Sequence, residues 1–206
     1  MATAAPTLTA DRESRDASIV LALTLPTDTV LYLLLPLHAA VFGVSLAEAG
    51  ILLAANRLVR IIGYGWVARS YEHRGARICC MVAVLGSAAS SLGYALLPGV
   101  WTLLVCRLVW GLSFAAMNIA TQALATSEPT GAVRRSGRSR AIIAAGPMVG
   151  LMAGAGIAEF WGAPIVFILL GVVALAAMPF AMRLPGGQGY KVAGGPRFGL
   201  PSRLDM

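Results

Sequence analysis

The sequence is 206 residues long, with 58% hydrophobic residues, 12% charged residues and a formal charge of +7. A soluble domain has about 45–50% apolar and about 25% charged residues, so this chain has too few polar side chains to cover a water-soluble globule. The same figures, with a mean hydropathy of +0.77, exclude a disordered chain, a coiled coil and a secreted disulfide scaffold. The composition therefore predicts an integral membrane protein.

Six apolar segments are long enough to cross a bilayer as helices, which takes about 20 residues each. Residues 1–17 precede them as a polar segment, and a Gly/Pro-rich tail over residues 184–206 follows, which we expect to be poorly ordered. We predict an all-α membrane protein with a six-helix bundle over residues 18–183. The predicted membrane helices lie at about 18–42, 47–67, 78–97, 101–125, 141–160 and 164–182.

Positive charge is distributed unevenly between the two ends of these helices. Thirteen arginines and lysines fall at one end, and the three turns at the other end, near residues 43–46, 98–100 and 161–163, contain none. Because basic residues stay on the cytoplasmic side, both termini are predicted to be cytoplasmic, in a bacterial plasma (inner) membrane. The charge follows from this topology, so no nucleic-acid partner is predicted. The thirteen residues are Arg12, Arg15, Arg69, Arg74, Arg77, Arg134, Arg135, Arg138, Arg140, Arg183, Lys191, Arg197 and Arg203.

Two residues of opposite charge fall deep inside the predicted helices. Asp28 lies roughly 15 Å past the inner end of the first helix, and Arg107 lies roughly 9 Å from the outer end of the fourth. A charge at such depth costs about 2.5–3.5 kcal/mol on insertion scales and usually faces a partner or a cavity. Two interpretations stay open, namely a structural Asp–Arg pair and a role in handling protons or substrate.

Other polar residues also lie within the predicted membrane helices. Arg57 and Arg60 are three residues apart and share one face of the second helix. Arg57 lies near the midplane, and Arg60 is within reach of the cytoplasmic interface. We expect the two arginines to line a cavity for an anionic group or to pair with a buried acid. Asn118 and Gln122, four residues apart, are placed to form hydrogen bonds across helices or to a substrate.

Three glycines at four-residue spacing mark the fifth helix. Gly146, Gly150 and Gly154 form a stripe that predicts close packing against another helix. Pro147 removes one backbone hydrogen bond and predicts a kink.

The three cysteines are interpreted as small hydrophobic residues. Cys79, Cys80 and Cys106 all lie inside apolar stretches. Cys79 and Cys80 are adjacent, but no further Cys or His cluster completes a site for a metal. The sequence therefore predicts neither a metal nor a cofactor.

Four motifs in order resemble the N-terminal six-helix half of a major facilitator superfamily transporter. Asp28-Thr29-Val30 with Leu35-Pro36 resembles the first helix of many members. The run Glu72-His73-Arg74-Gly75-Ala76-Arg77 is similar to the family's helix 2–3 loop signature, G-x-L-a-D-R-x-G-R-R. Glu72 stands in place of its aspartate. Arg107-x-x-x-Gly111 resembles the helix 4 motif, and Gly146-Pro147-x-x-Gly150 resembles the helix 5 antiporter motif.

The resemblance implies a transporter, with proton-coupled efflux of a small molecule. Together with the depth of the polar residues in the membrane helices, it leads us to expect Asp28, Arg57, Arg107 and Asn118 on the substrate and proton pathway. It assigns a gating role to the helix 2–3 loop, through Glu72, Arg74, Gly75 and Arg77. Members of the family normally have two six-helix halves, so the partners implied are the lipid bilayer, a small-molecule substrate and a second half in a homo- or heterodimer.

Other functions also suit a bundle of six membrane helices. An intramembrane protease of the rhomboid type needs a Ser–His pair, and Ser113 superficially offers the serine. No histidine follows His73, so this chemistry is excluded and no enzyme is predicted. A non-transporting scaffold or assembly subunit, or an inactive truncated transporter fragment, stays as the alternative.

Overall fold

The computed structural model describes residues 4–189 of the chain, and its side chains from residue 8 onward. The described residues form helices and connecting turns, without a strand. The basic residues Lys191, Arg197 and Arg203 of the predicted tail lie outside this range. The helices are α1 (Ala4–Thr24), α2 (Pro26–Leu37), α3 (Leu46–Leu96), α4 (Val100–Ala125), α5 (Ala132–Trp161), α6 (Ala163–Leu175) and α7 (Met178–Met182).

Within the described range, five helical segments are long and apolar enough to cross a membrane. The all-helical membrane architecture predicted from composition is thus confirmed, whereas the number of six crossings stays a prediction. The five segments are Leu8–Leu37, Leu46–Leu96, Val100–Ala125, Ala132–Trp161 and Ala163–Met182.

Helix α3 turns back on itself at Gly75. This glycine has φ +75° and ψ 174°, a backbone conformation that lies outside the helical region. It divides α3 into a first arm, residues 46–74, and a second arm, residues 76–96. Glycine is favoured at such a position because it has no Cβ to clash with the backbone.

Packing against α4 shows that the two arms of α3 lie side by side. Gly63 of the first arm contacts Leu112, and Gly86 of the second arm contacts the adjacent Ser113. A straight helix would hold these two glycines about 35 Å apart, at 1.5 Å per residue. The arms are therefore antiparallel neighbours, as the two separate spans predicted at 47–67 and 78–97 require.

Helix α1 begins at Ala4, well before the predicted membrane span at residue 18. Its first turns pack against the start of α5, where Asp11 pairs with Arg134 at 2.5 Å. Further along, the Ser18 hydroxyl lies 2.8 Å from that of Ser139, both buried. These contacts give the polar N-terminal segment a partner, which explains why the helix continues through it.

The uncharged turns meet at one end of the bundle. The backbone N–H of Gly99 donates to the Phe42 carbonyl at 2.9 Å, which joins the turn before α4 to the turn before α3. Phe42 and Tyr94 both pack edge-to-face on Phe167, with ring centroids 5.9 and 5.6 Å apart. The arginine-rich connections lie at the opposite end, where Arg135 donates to the Ala125 carbonyl at 3.0 Å.

The chain after α7 crosses the bend of α3. We call residues 184–189 the strap. The Arg77 Nε donates to the Leu184 carbonyl at 2.8 Å, and the Gly189 N–H donates to the Glu72 carbonyl at 3.0 Å. The described part of the tail is therefore held in place, although its composition led us to expect poor order.

Candidate functional site

A buried carboxylate lies between α2, the first arm of α3 and α4. Asp28 is 8% exposed, and three side chains donate hydrogen bonds to it. Arg107 Nη1 lies 2.5 Å and Asn56 Nδ2 lies 3.2 Å from Asp28 Oδ1. Arg60 Nη2 lies 3.0 Å from Asp28 Oδ2. We call Asp28, Asn56, Arg60 and Arg107 the Asp28 cluster.

Helical spacing explains how the cluster is assembled. Asn56 and Arg60 are four residues apart, so both project from one face of the first arm. Arg107 and Gly111 are likewise four apart on α4. A Cβ on Gly111 would meet the Asn56 Oδ1 and a methyl group of Val59, so the absence of a side chain at 111 lets the first arm approach. The Arg-x-x-x-Gly motif thus combines a charge with the space for its partners.

Arg107 is the most buried charge of the cluster, with its side chain 1% exposed. Its Nε donates to the Leu52 carbonyl at 3.4 Å, and its guanidinium lies 5.1 Å from the centroid of the Tyr32 ring. Its Nη2 has no hydrogen-bond partner among the described residues. One carboxylate and two guanidinium groups leave the cluster with an excess positive charge.

Arg60 takes one of the positions considered from the sequence, as the partner of a buried acid. Rather than reaching the cytoplasmic interface, it turns inward to Asp28 and rests on aromatic rings. Its guanidinium lies 3.9 Å from the centroid of the Phe114 ring and 5.0 Å from that of Trp110. Such cation–π contacts add to the electrostatic attraction of the carboxylate. Arg60 therefore contacts both Asp28 and Phe114.

Arg57 lies apart from the Asp28 cluster. Its side chain is exposed, and it forms no ion pair within the part of the chain that the structure describes. Seven residues separate it from Tyr64, which places both on the same face of the first arm. Arg57 therefore shares a helix face with Tyr64 but is not among the residues that line the cavity described next.

A cavity of about 900 Å³ opens between α1, the first arm of α3, α4 and α5. The Asn118 amide donates to the Tyr64 hydroxyl at 3.3 Å, and the Gln122 amide donates to the Asn118 oxygen at 3.2 Å. Phe114 also lines this cavity, and it is the ring on which Arg60 rests. The cavity and the Asp28 cluster are therefore adjacent, with one aromatic side chain between them.

The predicted gating loop forms the bend of α3. A Cβ on Gly75 would collide with the Gly187 carbonyl of the strap, so the glycine is needed for space as well as for its φ. Arg77 binds the strap through its guanidinium, and the carbonyl of Glu72 accepts from the strap. The side chain of Arg74 is exposed.

The glycine stripe of α5 packs on α1 and α2. The positions of the Cβ atoms that these glycines lack are taken by a neighbouring helix at the same four-residue spacing. Gly146 contacts the Ala22 carbonyl, Gly150 contacts Pro26, and Gly154 contacts Val30. Pro147, between the first two, lines the cavity.

Comparison with known proteins identifies the family. The family model described as Major Facilitator Superfamily matches residues 17–201, which include every element of the cluster, the cavity and the strap. A search of curated proteins finds no match. The order of motifs, the membrane helices and this match agree, and the chain belongs to the major facilitator superfamily of membrane transporters.

Proposed function

We propose that the chain exports a small molecule in exchange for protons and that Asp28 carries the proton. The observation that supports this is the placement of Asp28, which is buried, bonded to Arg107 and Arg60, and one aromatic ring away from a large cavity. Ionisable groups inside a membrane protein are rare and commonly form proton relays.

The contacts of the two arginines suggest how a proton would act on the cavity. Protonation of Asp28 removes the negative charge that attracts both guanidinium groups. Arg107 keeps its contacts with the Leu52 carbonyl and the Tyr32 ring, so it stays in place. The side chain of Arg60 is 24% exposed, against 1% for Arg107, so Arg60 has the space to move. Because Arg60 rests on Phe114, its movement changes the wall of the cavity.

The cavity supplies the substrate pathway in this proposal. Ligand sites are mostly apolar, with a few polar groups that orient the ligand. Here Asn118, Tyr64 and Gln122 form a polar strip beside apolar residues such as Leu25 and Phe114. Arg57 lies on the same face of the first arm, two helical turns before Tyr64.

The orientation in the membrane is part of the proposal. The bend of α3 and the start of α5 carry arginines, and the strap, which follows Arg183, lies at the same end of the bundle. We place this end and both termini in the cytoplasm, in the plasma membrane of a bacterium. The loop from Glu72 to Arg77 then closes the cytoplasmic end as a gate.

A second six-helix half completes the pathway in our proposal. Helix α5 buries only Arg135, Ser139, Gly154 and Ala158 among its described residues. Large apolar side chains cover its outer surface, including Met148 and Met152, which are 66% and 76% exposed. In the family two halves enclose the substrate, so a second copy of this chain would cover this surface and close the cavity.

Transport by the purified chain in liposomes tests the proposal. A pH gradient is imposed, and movement of one anionic, one neutral and one cationic labelled compound is followed. At least one compound should move with the gradient in the wild type, none should move in Asp28→Asn, and Glu48→Gln should match the wild type, because Glu48 is an exposed helix cap. Asp28→Glu, which keeps the charge, should restore part of the movement.

Two results would contradict the proposal. Gradient-driven movement that persists in Asp28→Asn would remove Asp28 from the mechanism. If the wild type moves none of the three compounds, with or without a gradient, the chain acts as a non-transporting scaffold or an inactive fragment.

A further inference from the structure

The wall of the cavity carries positive charge without any negative charge among the described residues. Arg140, near the start of α5, lines the cavity, and no Asp or Glu does so. Asp28 does not supply the missing negative charge, because it is 8% exposed and already bonded to two arginines. A cationic ligand that moved from water into the cavity would therefore find no counter-charge in its wall. An anionic ligand would find Arg140.

Hydrogen bonds along the wall direct a donor toward the ligand. Gln122 donates to the Asn118 oxygen, and Asn118 donates to the Tyr64 oxygen. The Tyr64 hydroxyl is thereby an acceptor within the wall, and its own hydrogen has no acceptor among the hydrogen bonds of the described residues. It is free to donate to a ligand oxygen, such as that of a carboxylate.

The exposed Arg57 lies outside the cavity lining, on the same face of the first arm as Tyr64. It lies two helical turns from Tyr64 on the same face, roughly 10 Å along the axis at 1.5 Å per residue. It forms no ion pair in the part of the chain that the structure describes. Arg140 is thus the charged residue of the described wall, and Arg57 places a second guanidinium on the adjoining face of the first arm, outside the lining.

The remaining wall is apolar and suits a ligand body of moderate size. Leu21, Leu25, Phe114 and Ile143 line it, and the volume of about 900 Å³ lies in the range of sites for drug-sized compounds. We propose that the substrate is an organic anion that combines an apolar ring or chain with one acidic group. This inference rests on the proposed function and names the substrate class of the same cavity.

Binding of three probes with the same ring tests the charge preference. Naphthoate, naphthalenemethanol and naphthylmethylamine are titrated calorimetrically into the chain in lipid nanodiscs, with empty nanodiscs as the blank. Naphthoate should bind with a Kd about tenfold lower than the alcohol, and the amine should bind more weakly than either.

Two arginine variants on α5 locate the effect. Arg140→Gln should remove the preference for naphthoate over naphthalenemethanol. Arg138→Gln is the matched control, because Arg138 is also exposed but lines a separate small cleft beside α1. It should keep the preference. A third variant, Asn118→Ala, should weaken all probes.

Four outcomes would overturn the inference. Tighter binding of the amine than of naphthoate would assign a cationic substrate while leaving the transport proposal intact. Equal Kd values for naphthoate and naphthalenemethanol in the wild type would contradict any preference for an anion. Equal loss of the preference in Arg138→Gln and Arg140→Gln would assign it to general surface charge. Failure of all three probes to bind, in a wild type that moves other compounds with a pH gradient, would reject this substrate class alone.

Discussion

Removing Asp28 should destabilise the bundle mainly through Arg107. In Asp28→Asn, both arginines lose their counter-ion, but their surroundings differ. Arg107 has a 1% exposed side chain and a 2.5 Å contact, whereas Arg60 has a 24% exposed side chain and a 3.0 Å contact. Arg60 is therefore able to turn to more polar surroundings, and Arg107 is not.

The expected energies follow from these environments. Breaking a buried ion pair by removing one partner costs about 3–5 kcal/mol, because the other charge stays buried. A double-mutant cycle between Asp28 and Arg107 should give a coupling energy of about 1–3 kcal/mol. The cycle between Asp28 and Arg60 should give about 1 kcal/mol or less, as for partly exposed pairs.

Unfolding in mixed micelles measures both cycles. The purified variants Asp28→Asn, Arg107→Gln, Arg60→Gln and the two double variants are titrated with SDS, and tryptophan fluorescence reports the free energy of unfolding. The double variant of Asp28 and Arg107 should be more stable than the sum of its single variants implies. Additive effects there, or a larger coupling energy for Arg60 than for Arg107, would refute the assignment of Arg107 as the main partner.

Further predictions concern packing and the bend of α3. Gly146→Ala should lower the free energy of unfolding by about 1–3 kcal/mol, because its Cβ would meet the Ala22 backbone. Gly156→Ala, where nothing lies within 4 Å, should raise the stability by about 0.5–1 kcal/mol, and a loss there equal to that of Gly146→Ala would contradict this account. Gly75→Ala should speed hydrogen exchange in the strap, because its Cβ would collide with the Gly187 carbonyl. Gly65→Ala should leave this exchange unchanged, because nothing lies within 4 Å of a Cβ at Gly65. Unchanged exchange in both would show that the strap does not depend on the bend.

The sequence predicted the helices and the family because both depend on local patterns. Apolar length and the position of arginines are properties of single segments, and the family motifs lie within short runs. The proximity of Asp28 and Arg107 was also foreseen as one of two interpretations, since their estimated depths lay within reach of a long side chain.

The partners of Asp28 on α3 could not be predicted in the same way. Spacing placed Arg57 and Arg60 on one face, but it could not show which of them points inward. The structure resolves this through the approach of the first arm to Gly111, which brings Asn56 and Arg60 to the carboxylate. Helix rotation is set by packing between helices, and one sequence does not contain that information.

The strap had no signal in the sequence. Its Gly/Pro-rich composition lacks periodicity, and its contacts with α3 run through backbone groups, such as the Leu184 carbonyl and the Gly189 N–H. Backbone contacts carry little information about side-chain identity. The positive φ values of Gly75 and Gly187 and the guanidinium of Arg77 connect this arrangement to residue types, but none of these forms a periodic pattern.

Protonation of Asp28 is the central claim, and infrared spectroscopy measures it most directly. Difference spectra are recorded from the chain in lipid films during a step to lower pH, in the carbonyl-stretch region of protonated carboxylic acids. The wild type and Glu48→Gln should share a band from a buried acid that is absent in Asp28→Asn. A spectrum of Asp28→Asn that retains this band unchanged would show that the proton binds elsewhere.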